Sequence, residues 1–117
     1  MEEITIEELK QLSSNAYVLV DIRDEEKVMK NPIDGSIVLC EKDAEEYAYD
    51  FDKKIIIVCD RGKLSIPCVL ALRERGYEAY SLHGGYVSIV MDKMKENHSK
   101  EFAHKVERSI IKTYRKP

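Results

Sequence analysis

The sequence predicts an α/β fold built on a mainly parallel sheet of about five strands. Two apolar, β-branched runs, Tyr17 to Asp21 and Lys54 to Val58, are typical of buried strands. Helical patterns alternate with these and with weaker strands, which is the arrangement that places strands side by side in parallel. A chain of 117 residues suits one domain with one core.

The first half of the chain predicts short elements. Thr5 and Glu8 form a capping-box signature, so a helix is expected over residues 6–13. The strand at 17–21 follows, and Asp24 is the expected N-cap of one or two helical turns. Turn residues at 32–35 precede a short strand at 36–39, and a helix is expected over 43–49.

The second half carries the clearest pattern. Four consecutive aliphatic residues, Ile55 to Val58, predict a strand buried on both faces. Apolar residues at helical spacing follow from Ser65, and Gly76 is the expected stop. A strand at 78–82, a Gly-Gly turn and a helix from 86 to 94 complete the domain, which we place at residues 1–97. Residues 98–117 are expected to form a basic helical extension or linker.

Charge is distributed unevenly. Residues 1–52 hold 15 acids and 5 bases, whereas residues 53–117 hold 7 acids and 14 bases. The basic half favours an anionic ligand or RNA, although a solvated surface gives the same composition. No apolar run is long enough to span a membrane and no leader pattern is visible, so the cytoplasm is the expected location.

The cysteines indicate free thiols. Cys40, Cys59 and Cys68 are an odd number and lack metal-ligand spacing, and the histidines add none, so the sequence implies no metal or cofactor. Cys68 falls among apolar residues of the predicted helix and is expected to pack in the core. Cys40 is expected to be inert, with a resolving thiol as the alternative.

Cys59 begins a loop that joins the most apolar strand to a helix. The loop comprises Cys59, Asp60, Arg61, Gly62, Lys63, Leu64 and Ser65. Backbone N–H groups in such a loop, together with the helix N-terminus, form a cradle for an anion. This cradle favours the thiolate, which is the nucleophilic form of cysteine. The alternative is a core cysteine with charged neighbours by chance.

Four segments resemble the rhodanese-like family, and they stand in the family's order and spacing across about residues 5 to 90. They are "VLVDIRDEEK", "NPIDGSIVL", "IIIVCDRGKLS" and "LRERGYEAYSLHGGY". The resemblance implies a three-layer, flavodoxin-like α/β/α fold. It also implies that Cys59 takes sulfane sulfur as a persulfide from a small donor such as thiosulfate, or from a protein persulfide, and passes it to a thiol or protein acceptor. Asp21 and Arg23 would then support the loop.

The loop departs from the family's common Cys-Arg-x-Gly-x-Arg pattern. Asp60 stands at the second position and adds negative charge beside the thiolate, and Leu64 at the sixth removes a bidentate anion ligand. These departures keep open a second hypothesis, a binding or regulatory module that has lost catalysis. Related phosphatases and arsenate reductases need a loop one residue longer, which argues against both activities here.

The tail "HKVERSIIKTYRKP" carries a second resemblance, covering about ten residues. It is similar to the lead-in helix of PP-loop ATPases of the tRNA 2-thiocytidine synthetase type, but the ATP-binding motif is absent from the sequence. The resemblance implies a downstream PP-loop domain and tRNA thiolation as the destination of the sulfur. The alternative is a basic helix that packs on its own domain.

Overall fold

The computed structural model describes residues 1–98, which alternate between strands and helices. The strands are β1 (Glu3–Ile4), β2 (Tyr17–Asp21), β3 (Ile37–Val38), β4 (Lys54–Val58) and β5 (Ala79–Leu82). The helices are α1 (Ile6–Lys10), α2 (Glu25–Lys30), α3 (Glu41–Glu46), α4 (Ser65–Glu74) and α5 (residues 85–98).

The five strands form one parallel sheet in the order β1-β5-β4-β2-β3, which confirms the predicted fold class. Strand β4 lies at the centre because its aliphatic side chains are buried on both faces; Ile55 through Val58 have no solvent exposure. Its carboxyl end therefore opens at the middle of the sheet, where α/β folds place their ligand sites.

Each face of the sheet is covered by a separate apolar layer. On one face, Val69 and Leu72 of α4 and Ala44 of α3 pack against Ile55 and Ile57. On the other face, Leu9 of α1 and Ile89 of α5 pack against Ile56 and Val58. This alternation along β4 produces the three-layer arrangement that the family resemblance implies.

Several element boundaries differ from the sequence-based expectations. Strand β1 was not predicted, because two residues carry no periodicity and the strand exists only by pairing with β5. Helix α3 begins earlier than expected, since the sulfur of Cys40 accepts the N–H of Asp43 as the N-cap. Asp24 occupies the N-cap position of α2 without a side-chain hydrogen bond.

Two sequence-based expectations concern the end of the chain and the membrane. The predicted helical segment from residue 99 lies outside the described residues, so the division at 97 and 98 stays a prediction. Among the helices of residues 1–98, none combines the length and apolarity needed to cross a bilayer.

Candidate active site

Cys59 immediately follows the central strand and is only 3% exposed. The backbone N–H of Gly62 donates to its sulfur at 3.1 Å, which closes the loop back over the thiol. The sulfur also contacts the hydroxyl of Ser65 at 3.3 Å. The first turn of α4 therefore holds the sulfur from one side and the loop backbone from the other.

A chain of hydroxyl groups continues beneath the sulfur. The hydroxyls of Ser65 and Ser81 are hydrogen-bonded to each other, and the Ser81 hydroxyl donates to the carbonyl of Gly62 at 3.3 Å. Both serines are fully buried. Since a hydroxyl can donate and accept, this chain can adjust its protons to either charge state of the sulfur.

Gly62 is required by the shape of the loop. Its φ is +83°, a backbone conformation that residues with a side chain rarely adopt. A Cβ atom at this position would lie 2.8 Å from the carbonyl oxygen of Leu82 and 2.9 Å from the amide nitrogen of Gly84. The glycine thus lets the loop pack directly on the turn that follows β5.

The loop carries several backbone donors besides the Gly62 N–H that contacts the sulfur. Within residues 1–98, no protein acceptor is present for the backbone N–H groups of Asp60, Arg61, Lys63, Leu64 and Ser65. The loop runs into the N-terminus of a ten-residue helix, whose dipole adds positive potential there. The arrangement suits an anionic sulfur or oxygen group bound above Cys59.

The N-terminus of α5 clamps the loop from behind. The N–H of Tyr86 donates to the carbonyl of Cys59 at 2.8 Å, and the N–H of Val87 donates to that of Asp60 at 3.2 Å. A Cβ atom on Gly85 would lie 2.3 Å from the same Cys59 carbonyl oxygen. The turn after β5 therefore fixes the backbone on which the thiol is mounted.

Asp21 and Arg23 form a buried ion pair behind the loop. Arg23 donates to Asp21 from Nη2 at 2.8 Å and from Nε at 3.0 Å, and Nη2 also donates to the Asn31 carbonyl at 2.7 Å. The guanidinium carbon lies 4.0 Å from the centre of the Tyr86 ring. Burial is the largest single effect and lowers the pKa of Arg23, but the hydrogen bonds that Asp21 accepts and the charges of Asp21, Tyr86 and Asp60 together outweigh it and raise that pKa. The pair thus connects β2 to the residue that clamps Cys59.

A pocket of about 360 Å³ lies over the thiol. It is lined by Lys27, Cys59, Asp60, Arg61, Lys63 and Leu64. The carboxylate of Asp60 accepts from the ammonium of Lys27 at 2.5 Å, so the acid in the loop is neutralised by a cation from α2. Arg61 and Lys63 are exposed, and Leu64 is 65% exposed at the rim.

The other two cysteines lie away from this pocket. Cys68 is buried in the core, which confirms its packing role, and burial raises the pKa of its thiol to about 12. Cys40 is exposed and caps α3. His83 is likewise absent from the pocket lining; its Nδ1 lies 3.4 Å from the Glu3 carboxylate.

The structure thus assembles Cys59 with the predicted loop, but it adds residues that the sequence-based interpretation did not place there. Gly62 and Ser65 contact the sulfur of Cys59 but do not line the pocket. The additions are Lys27, Ser81, Gly85 and Tyr86. A serine inside an apolar strand and a doubled glycine after it were the available signals for two of them.

Comparison with known proteins agrees with this geometry. The model of the rhodanese-like domain matches residues 5–92. The thiosulfate sulfurtransferase GlpE of Pseudomonas aeruginosa is 30% identical over 88 residues, which cover 73% of this chain and 80% of that protein. A tRNA sulfurtransferase of Desulfurococcus amylolyticus is 31% identical over 68 residues, which cover 58% of this chain but only 14% of the longer relative.

Solved structures extend the comparison. A rhodanese homolog of the extremely thermophilic bacterium Thermus thermophilus superposes with a TM-score of 0.60 at 28% identity, covering 73% of this chain and 96% of that one. The human single-domain sulfurtransferase superposes with a TM-score of 0.69 at 19% identity, covering 78% and 96%, and supports the fold. The matched family model and the relatives together show that the chain belongs to the rhodanese-like family of sulfurtransferases.

Proposed function

We propose that this protein carries sulfane sulfur as a persulfide on Cys59. The observation that supports this most directly is the sulfur itself, which accepts the Gly62 N–H at 3.1 Å in a loop whose other backbone N–H groups have no protein acceptor among the described residues. A terminal persulfide sulfur extends one atom further out and carries negative charge, so those donors are suited to stabilise it. The cytoplasm, where thiols remain reduced, is the expected setting.

In the first half-reaction the Cys59 thiolate attacks the outer sulfur of thiosulfate. The new bond joins the cysteine sulfur to this sulfane sulfur, and the sulfur–sulfur bond of the donor breaks. Sulfite leaves with the electron pair, and the charge of the former thiolate comes to reside on the terminal sulfur of the persulfide. No external oxidant or reductant is needed.

In the second half-reaction an acceptor thiolate attacks the terminal sulfur and Cys59 leaves as a thiolate. A protein persulfide can replace thiosulfate in the first step by the same exchange. Similarity to a tRNA sulfurtransferase of Desulfurococcus amylolyticus supports tRNA thiolation as one destination of the sulfur. A PP-loop ATPase domain, implied by the tail residues, is the corresponding proposed partner.

Intact-mass spectrometry tests the carrier role. The protein is incubated with thiosulfate, or with a cysteine desulfurase and cysteine, and then desalted without reductant. We expect a gain of one sulfur atom that dithiothreitol removes. The gain should disappear in Cys59→Ser and persist in Cys68→Ala and Cys40→Ser, because neither thiol lines the pocket. Absence of the gain with every donor would contradict the proposal.

A second candidate is a binding or regulatory module. Leu64, 65% exposed at the pocket rim, favours it because an apolar side chain stands where the family often places an anion-binding arginine. If this function holds, Cys59→Ala should leave partner binding and the cellular phenotype unchanged. The carrier proposal expects the same substitution to abolish the phenotype.

A further inference from the structure

Ser81 carries a fully buried hydroxyl that the loop sequence does not account for. It lies on β5, 22 positions after Cys59 in the chain, and it does not line the pocket. A polar side chain without access to solvent must find its hydrogen-bond partners inside the protein. The partners of Ser81 therefore indicate what the residue does.

These partners close a ring of hydrogen bonds beneath the thiol. The Ser81 hydroxyl is bonded to that of Ser65, which contacts the Cys59 sulfur at 3.3 Å, and it donates to the Gly62 carbonyl at 3.3 Å. The Gly62 N–H donates back to the sulfur at 3.1 Å and completes the ring. Within residues 1–98, neither hydroxyl has a hydrogen-bond partner outside this ring, and the Gly62 carbonyl accepts from Ser81 alone.

The protons of the ring can run in two directions. Beside a neutral sulfur, Ser65 donates to Ser81, and Ser81 donates to the Gly62 carbonyl. Beside a thiolate, Ser65 donates to the sulfur, so Ser81 turns its single proton from the carbonyl to the Ser65 oxygen. A hydroxyl that accepts a hydrogen bond is a stronger donor in turn, and Ser81 therefore strengthens the bond from Ser65 to the charged sulfur.

The Gly62 carbonyl connects this ring to the backbone of the loop. It belongs to the same peptide unit as the N–H of Lys63, which is one of the loop donors without a protein acceptor among residues 1–98. A hydrogen bond to the carbonyl polarises the unit and makes its N–H a stronger donor. In a persulfide the negative charge has left the cysteine sulfur for the terminal sulfur, so the Ser81 proton is free to return to the carbonyl.

We propose that Ser81 is a positioning residue whose proton follows the charge of the site. It strengthens Ser65 as a donor to the Cys59 thiolate, and it strengthens the peptide between Gly62 and Lys63 when the sulfur is loaded. Rotation of the two hydroxyls is sufficient, and no covalent bond forms or breaks in this step. The persulfide half of the inference rests on the proposed carrier function, whereas the thiolate half can be measured without a sulfur donor.

The alternative is that Ser81 only fills space beneath the loop, and a double-mutant cycle separates the two roles. Alkylation of Cys59 by iodoacetamide is followed as a function of pH, with peptide mass spectrometry to separate this thiol from the other two cysteines. The variants are Ser81→Ala, Ser65→Ala and the two combined. Ser36→Ala is the matched control, because the Ser36 hydroxyl also donates to a backbone carbonyl, at 2.8 Å, but lies outside the ring and the pocket.

Every variant keeps the charged and titratable groups near the thiol, so a change in the alkylation profile reports the ring. These groups are Lys27 of α2, Asp60, Arg61 and Lys63 of the loop, and Asp21, Arg23 and Tyr86 behind it.

We expect Ser65→Ala to raise the pH of half-maximal alkylation by about one unit, a roughly tenfold loss of thiolate, because it removes a charge-assisted hydrogen bond. Ser81→Ala should raise it by about half a unit, because it weakens that bond without removing it. The combined variant should match Ser65→Ala, since Ser81 acts on the sulfur through Ser65, and Ser36→Ala should leave the profile unchanged. Additive shifts, or no shift in Ser81→Ala, overturn the inference.

A second pair of variants keeps the test decisive if alanine disturbs the fold. Ser81→Thr and Ser81→Val introduce side chains of nearly equal shape that suit a strand, and they differ in the hydroxyl. The threonine variant should reach half-maximal alkylation about half a pH unit below the valine variant. Equal profiles for the two contradict a role for the hydroxyl.

Release of bound sulfur tests the persulfide half. The carbon of cyanide bonds to the terminal sulfur, thiocyanate departs and Cys59 is left as a thiolate, so intact mass follows the loss. Ser81→Ala should release sulfur about twofold faster, with or without Ser65, because its contact with the Gly62 carbonyl does not pass through Ser65. An unchanged rate overturns this half of the inference. If the alkylation shifts are seen but the wild type gains no sulfur from any donor, the carrier function fails and the role of Ser81 at the thiolate stands.

Discussion

Replacing Gly85 by alanine tests how tightly the turn after β5 holds the active-site loop. Gly85 has a φ of +58°, and a Cβ atom there would lie 2.3 Å from the Cys59 carbonyl oxygen and 2.7 Å from the Asp60 carbonyl carbon. These neighbours are backbone atoms, so a change of rotamer cannot relieve the overlap. The loop that carries the thiol must move instead.

The magnitude follows from two contributions. The left-handed conformation costs an alanine about 1–2 kcal/mol, and overpacking against fixed atoms costs about 1–3 kcal/mol more. The sum, about 2–5 kcal/mol, is a large part of the roughly 5–15 kcal/mol by which small proteins are stable. Gly35 provides the matched control, since its φ is +76° and nothing lies within 4 Å of its Cβ position. Gly35→Ala should lose only the conformational contribution.

Urea unfolding followed by circular dichroism measures the difference in the free energy of unfolding. Sulfur loading of Cys59, read by intact mass, gives a second measure. We expect Gly85→Ala to lose loading as well as stability, and Gly35→Ala to keep its loading. Equal destabilisation of the two variants, within about 0.5 kcal/mol, would refute the claim that the turn fixes the loop.

Three further predictions concern single side chains. Burial raises the pKa of the Cys68 thiol from 9.0 to about 12, so its contribution to stability is complete below pH 9 and is lost as pH rises towards 12. The urea midpoint of Cys68→Ala should therefore fall less steeply over that pH range than the midpoint of the wild type. Arg23→Met, which leaves the buried Asp21 carboxylate unpaired, should cost about 3–5 kcal/mol in urea unfolding. Leu64→Arg, at an exposed position, should change stability by less than about 0.5 kcal/mol and increase the rate of sulfite release from thiosulfate.

Much of the fold could be predicted from the sequence because its strongest signals are local. Four aliphatic residues in a row at Ile55 to Val58 predict a central strand, and the structure buries all four. The capping box at Thr5 and Glu8 fixes the start of α1 by hydrogen bonds that span three residues. By contrast, β1 depends on its pairing with β5, Glu3 with Ser81 and Ile4 with Leu82, which no local pattern encodes.

The residues of the candidate site likewise fall into those that the local sequence predicts and those that only the folded chain brings together. Cys59 and its loop were found because they are contiguous and because a glycine and two cations follow a buried strand. Ser81 reaches the site because β5 pairs with β4, and Lys27 reaches it because α2 is tied to the framework of Arg23. The sequence-based reading of Asp60 as an unfavourable charge omitted Lys27, which neutralises it from 33 residues away.

The sequence by itself therefore determined the fold class, the strand-end cysteine and the glycine-containing loop, because burial pattern and turn chemistry act between near neighbours. Only the tertiary structure decided which distant groups surround the sulfur. The register of parallel strands and the packing of α2 and α5 bring a hydroxyl, a backbone clamp and an ammonium to Cys59. These contacts depend on connections that bring strands and helices distant in sequence side by side. Packing of the whole core stabilises that arrangement, and no single segment does so by itself.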